Sequence, residues 1–297
     1  MRIAITGAAG LVGSTLARRL QSQGHQPLRL VRQMAQADDV LWNTESGVAQ
    51  PEKLAGCDAV VHLAGENIAD ARWSGAKKAR IRDSRVKGTA SLCRSLAQLS
   101  APPRVLVSAS AIGFYGDRGE EVLTEESPAG AGFFPQVCQE WEAATSAAAD
   151  KGIRVAHLRI GVVLSADGGA LAKMIVPFKF GLGGRLGDGE QYMSWIALDD
   201  LLAAIEHISA HEELRGAVNA TAPNPVTNAD FTRQLGGALH RPTLFPVPAF
   251  ALRLALGDMA DEALLGGARV MPARLLASGF NFRYPELSDA LRHCLKD

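Results

Sequence analysis

Apolar residues fall along this chain in short runs separated by longer stretches with helical spacing. Ile3–Thr6, Pro27–Val31, Ala59–Leu63, Arg104–Ser108 and Arg154–Leu158 are short, mostly apolar runs that read as buried strands. Between them, Leu11–Gln23 and Arg85–Leu99 place apolar side chains at the spacing of a helix with one buried face. Strand–helix alternation predicts an α/β fold, a doubly wound parallel sheet with helices on both sides. The pattern loosens after about Ser165. Gly181–Gly189 (GLGGRLGDG) reads as a loop, with the composition of a mobile flap. Pro223, Pro225, Pro242, Pro246 and Pro248 interrupt the later chain, and Val247–Gly257 and Leu287–Leu295 read as short helices.

With 297 residues and 47% hydrophobic content, the chain can bury a large core. Its 31 basic and 31 acidic residues cancel, so no net field draws it to nucleic acid or to an anionic membrane. No apolar run reaches membrane-spanning length, and the first run meets Gly7 too early for a signal peptide. Cys57, Cys93, Cys138 and Cys294 lack CxxC spacing and do not cluster with histidine. The expectation is a cytoplasmic protein with free thiols and no metal, acting on a small molecule as a monomer or homodimer.

Residues 2–13 read RIAITGAAGLVG, a strand leading through Gly7, Gly10 and Gly13 into a helix. Gly7 suits a tight turn, Gly10 lets backbone approach a pyrophosphate, and Gly13 lets the helix pack on the sheet. Ala8, Leu11 and Val12 belong to the same cradle, where helix amides and the helix dipole favour an anion. With a strand before it and a helix after it, this pattern reads as a Rossmann-type dinucleotide site, the alternative being a glycine-rich turn with no ligand. The second strand ends at Leu30-Val31-Arg32, where an NAD-selective site would carry an acidic residue. Arg32 suits the 2′-phosphate of NADP(H) instead, the alternative being a solvated surface arginine.

DAVVHLAG (58–65), SASAIGFYG (108–116) and WIALDD (195–200) resemble motifs of the extended short-chain dehydrogenases/reductases. GENIADARW (65–73), DSRVKGT (83–89), QVCQEWE (136–142), GVVLSADGGAL (161–171) and RVMPARLLASGFNF (269–282) are similar to a narrower, atypical group. These are the NAD(P)-dependent "epimerase family" proteins with a C-terminal domain of unknown function. The resemblance covers nearly the whole chain. It implies a Rossmann core over 1–165, completed by about 192–220, and a smaller C-terminal α/β substrate lobe over 166–191 and 221–297. It also implies that Leu63, Ala64, Gly65 and Ser108 lie beside the cofactor, with Arg85 contacting NADP or serving as a surface ion-pair arginine.

Ordinary members of that superfamily use a Tyr-x-x-x-Lys pair as acid and base. None of the three tyrosines here has Lys four residues on, and Phe134 and Cys138 occupy the expected helix positions. The remaining candidates are Ser110 (or Ser108) as a substrate hydrogen-bond partner, Glu66 as a carboxyl raised in pKa by burial, Tyr115 as a displaced acid, and Cys138 as a nucleophile or redox thiol. Each has a structural alternative: Ser110 tied to backbone, Glu66 on the surface, Tyr115 as framework, Cys138 as packing. His62, Trp141 and Trp195 read as packed side chains. Two functions stay open: an NADP(H)-dependent oxidoreductase or epimerase-like enzyme, and a non-catalytic NADPH-binding regulatory protein.

Overall fold

The computed structural model describes residues 1–295. Eight strands form one sheet: β1 (Arg2–Thr6), β2 (Gln26–Val31), β3 (Val40–Asn43), β4 (Gly47–Val48), β5 (Ala59–His62), β6 (Val105–Ala111), β7 (Arg154–Ile160) and β8 (Gly216–Ala220). Their spatial order is β8-β7-β6-β5-β1-β2-β3-β4. Every neighbouring pair is parallel except the terminal β3–β4 hairpin. The chain winds outward from β1 in both directions, so the crevice beyond the carboxyl ends of β1, β2 and β5 is the topological switch point.

The helices are α1 (Leu11–Ser22), α2 (Gly75–Ala97), α3 (Phe133–Ala143), α4 (Ser146–Asp150), α5 (Gly169–Lys179), α6 (Leu198–Ala210), α7 (Asn228–Ala238), α8 (Ala249–Leu256), α9 (Ala273–Ala277) and α10 (Leu287–Cys294). Alternation along the strands explains how both faces are filled. Ile3, Ile5, Val61, Val107 and Leu158 pack under Leu16 and Leu20 of α1 and Leu201 and Ile205 of α6. Ala4, Leu30, Val60 and Leu106 point the other way, against Leu92 and Leu96 of α2. Burial on both sides is why these strands read as mostly apolar runs rather than alternating ones.

A third apolar cluster joins α5, α7 and α10 around Trp195, through Leu171, Phe178, Phe231, Leu235 and Leu291. Three short strand pairs fasten the later chain above the sheet. Trp195–Ala197 runs parallel to Val162–Leu164, Tyr192–Met193 antiparallel to Val226–Thr227, and Arg269–Val270 parallel to Val122–Leu123.

Two local features go beyond the sequence pattern. The hairpin β3–β4 alternates buried Val40 and Trp42 with exposed Leu41 and Asn43, a period too short to read in the sequence. The Gly181–Gly189 stretch bonds to α7 and to the segment before α8. Leu186 N–H donates to Asn228 Oδ1 at 2.8 Å, Gly187 N–H to Val247 O at 2.9 Å and Val247 N–H to Arg185 O at 2.8 Å.

Candidate functional site

The turn after β1 is built for close backbone approach. Gly7 has φ +67, and a Cβ there would stand 2.9 Å from the Leu63 carbonyl carbon. A Cβ at Gly13 would stand 2.3 Å from Gly7 O, so α1 packs directly on the turn. Gly10 is the N-cap of α1, and its N–H donates to Gly7 O at 2.9 Å. No side chain caps this helix and no acidic residue stands in its first turn, while Ala9 and Gly10 are exposed. Uncapped amides at an open helix start are the arrangement that takes a phosphate, so the residues present fit a dinucleotide.

The opposite wall comes from the end of β5. Thr6 Oγ1 accepts the N–H of Leu63 (3.0 Å) and of Ala64 (3.2 Å), holding this segment across from the turn. Arg85 of α2 lies against Gly65, donates to Glu66 O and Ile81 O at 3.1 Å, and stands over the Trp141 ring. Ser108 is buried, and its Oγ has no hydrogen-bond partner.

At the end of β2, Arg32 is exposed and has no ion-pair partner among the described residues. The nearby acid, Asp39, is committed elsewhere. Its Oδ2 accepts the amides of Ala35 and Gln36 at 2.9 Å, and its Oδ1 lies 3.4 Å from Arg29 Nε. It shapes the loop after Arg32 and leaves that guanidinium open.

The acid–base candidates divide: Ser110, Tyr115 and Cys138 gather around the buried Glu142 and Arg159, and Glu66 lies apart. Glu66 is not a carboxyl raised by burial: Lys77 bonds it at 2.9 Å and Arg80 at 3.3 Å, and the Lys77 bond lowers its pKa against the opposing effect of burial. Lys77, itself buried, also pairs with Asp70 and staples the 66–73 segment to α2. Cys138 is buried beneath α3, its thiol directed at Ala111 O, and desolvation pushes its pKa up to about 12. A protonated, enclosed thiol does not suit a nucleophile. Tyr115 is wholly buried; it donates to Asn219 Oδ1 at 2.7 Å and accepts from Arg159 Nη1 at 3.0 Å, and burial raises its pKa.

Ser110 belongs to the same inner network. Its Oγ donates to Glu142 Oε1 at 2.7 Å, and Arg159 grips both Glu142 oxygens at 2.8 and 2.9 Å. The Arg159 guanidinium lies 3.4 Å from the centre of the Phe114 ring. Sequence reasoning missed Glu142 and Arg159. Glu142 stands four residues after Cys138, on the same helix face as Phe134 and Cys138, which was the available signal.

At the start of α3, Phe134 stacks edge-on to Trp73 with ring centres 5.0 Å apart, and Phe133 does so at 5.6 Å. Met259, Ile68 and Leu256 complete this apolar cluster. Glu262, from the segment after α8, caps the helix by accepting the amides of Phe133 (3.2 Å) and Phe134 (3.3 Å). Thus α1 presents an open helix start and α3 a closed one. Among the described residues, no group of three or more His, Cys, Asp or Glu could hold a metal, and no helix is long and apolar enough to cross a membrane.

A glycine-cornered turn leading into an uncapped helix start, at the switch point of a doubly wound sheet, defines a nucleotide-cofactor α/β protein. The chain belongs to the NAD dependent epimerase/dehydratase family, which it matches over residues 3–220, and residues 247–294 match a domain of unknown function, DUF1731. It is 46% identical over 290 residues to an epimerase family protein of Mycobacterium bovis, covering 97% of this chain and 96% of that one. The crystal structure of the human epimerase family protein SDR39U1 with NADPH is similar at TM-score 0.92 and 32% identity, covering 99% of each chain. A nucleoside-diphosphate sugar epimerase from Corynebacterium glutamicum is similar at TM-score 0.83 and 38% identity, over 99% of this chain and 58% of that one.

Proposed function

We propose that this protein binds NADP(H) and acts as an oxidoreductase or epimerase-like enzyme without a Tyr-x-x-x-Lys pair. The observation that carries the reading is the open start of α1 behind Gly7, Gly10 and Gly13, with unpaired Arg32 at the end of β2. Bound there, the dinucleotide supplies a hydride donor or acceptor. The chain's own residues do the rest. The α1 amides and the Ala8–Val12 turn hold the pyrophosphate, and Arg32 the 2′-phosphate. Leu63, Ala64 and Gly65 line the far wall, Arg85 places a fixed positive charge beside them, and Ser108 offers an unused hydroxyl. Residues 1–165 with 192–220 form the cofactor unit in this reading, and 166–191 with 221–297 the substrate lobe. Balanced charge and free thiols suit a reducing, cytoplasmic setting, as a monomer or homodimer.

One observation favours a second reading, a non-catalytic NADPH-binding regulator: the proton-donor position is filled by Phe134 within a packed aromatic cluster. Calorimetric titration with NADPH and NADH tests the shared part, and equal affinity for the two would sink it. A turnover screen of the NADPH-loaded protein against carbonyl compounds and nucleotide sugars separates enzyme from regulator.

A further inference from the structure

Arginines that are not fully exposed almost all have acceptors in this fold. Arg159 grips Glu142, Arg19 pairs with Glu206, Arg154 caps the carbonyls at the end of α6, and Arg274 bonds Arg215 O, Ala217 O and Glu126. Arg269 is the exception. Among the described residues, it is the one half-buried or buried arginine with neither an ion pair nor a hydrogen bond, and its Nε is buried without a partner. Its guanidinium stands 5.1 Å from the centre of the Tyr192 ring. Holding a half-buried cation without an acceptor costs stability, so the missing acceptor points to a ligand.

The placement is rigid and lies where this fold binds ligands. Ser194 Oγ donates to Ala268 O at 2.7 Å and accepts from Val270 N at 2.9 Å, bracketing Arg269 on both sides. Thr221 Oγ1 donates to Val270 O at 3.1 Å. Gly267 lets the strand meet Tyr192, since a Cβ there would stand 2.5 Å from Tyr192 O. Ala268 and Val270 pack on Tyr115, just past the carboxyl end of β6, and Ser194 O accepts the N–H of Val162, just past the end of β7. Arg269 therefore overhangs the carboxyl ends of the sheet, away from the phosphate turn, at the edge where ligands enter open α/β folds.

We propose that Arg269, stacked on Tyr192, is the oxyanion-recognition point of the substrate lobe, so that the ligand carries a carboxylate or a phosphate. A planar guanidinium backed by an aromatic ring presents paired N–H groups to such an anion. The proposal rests on the reading that the C-terminal lobe takes the substrate.

The test uses the full chain saturated with NADPH, which fills the dinucleotide phosphate site. Thermal unfolding is followed with inorganic phosphate, citrate or UDP, in wild type, Arg269→Gln, Arg269→Lys and Tyr192→Leu. We expect at least one probe to raise the wild-type Tm by about 3 °C near tenfold its Kd. The shift should vanish in Arg269→Gln and shrink in Arg269→Lys and Tyr192→Leu. Phosphate against citrate separates the two anion classes. Without probe, Arg269→Gln should melt at or above wild type, and its NADPH affinity should be unchanged. Equal probe shifts in wild type and Arg269→Gln, or no wild-type shift with any probe, would overturn the proposal. If NADPH itself fails to bind wild type, the cofactor reading falls separately. The same anion comparison on unloaded protein then still decides this one.

Discussion

Thr6 Oγ1 stands 2.7 Å from His62 Nδ1 and, through the amides it accepts, sets the tautomer of a buried histidine. That hydroxyl already accepts Leu63 N–H and Ala64 N–H, so its own proton goes to Nδ1. His62 is then the Nε2–H form, donating to Thr89 Oγ1 at 3.0 Å. Burial lowers its pKa to about 4 from an ordinary 6.5. The folded protein keeps the ring neutral while the unfolded chain protonates near 6.5. The stability this provides is complete above 6.5 and is lost as pH falls towards 4. The full effect is about 3 kcal/mol. Urea unfolding at pH 7.5 and 4.5 should show it in wild type and lose that component in His62→Gln, whose amide does not titrate. An identical pH slope in both proteins would refute the assignment.

Cofactor selectivity should reside in Arg32. A charge-assisted bond to the 2′-phosphate contributes about 1.5–3 kcal/mol, a preference for NADPH over NADH of about ten- to a hundredfold. Calorimetry should find that preference in wild type and its loss in Arg32→Ala. Gly10→Val should abolish binding of both cofactors while circular dichroism stays native, because the new side chain occupies the open helix start. Normal NADPH binding by that variant would mean the phosphate turn is misassigned.

The glycine-cornered turn after β1 was legible in the sequence because local backbone geometry demands glycine at fixed spacing, and the main parallel strands because burial on two faces leaves mostly apolar runs. The roles of Ser110, Glu66 and Cys138 were not legible. Each depends on a partner brought from elsewhere: Glu142 from α3, Lys77 from α2, Ala111 from the end of β6. Glu262 and Arg269 escaped notice for the same reason, since their meaning lies in groups more than seventy residues away along the chain.

The Glu142–Arg159 pair should prove more important for stability than its single ion pair suggests. Both side chains are buried or nearly so, and Glu142 also holds Ser110. Glu142→Ala leaves a buried guanidinium with only the Tyr115 hydroxyl, and the expected cost is about 3–5 kcal/mol. Ser110→Ala removes one neutral donor and should cost about 1 kcal/mol. Denaturant unfolding of the two variants tests the order. Similar small losses in both would show that the network is dispensable.

Restoring the missing acid–base pair should not restore dehydrogenase chemistry. Phe134 and Cys138 share one face of α3, so Phe134→Tyr with Cys138→Lys recreates the spacing. The surroundings do not match it. A hydroxyl added at Phe134 joins a ring already packed on Trp73 within the cluster that includes Met259. An ammonium at Cys138 would replace a thiol that is 1% exposed and lies within the field of the Arg85 guanidinium. Its nearest carboxylate, Glu142, is already gripped through both oxygens by Arg159. Burying that charge should destabilise the double variant by about 2–4 kcal/mol, nearly all of it from Cys138→Lys, because Phe134→Tyr alone adds only one polar atom. Unfolding of each single variant and the double separates the two contributions, and a screen of NADP+-dependent oxidation of simple alcohols should detect no turnover. A double variant with wild-type stability that oxidises alcohols would mean that the site is competent and lacks only its base.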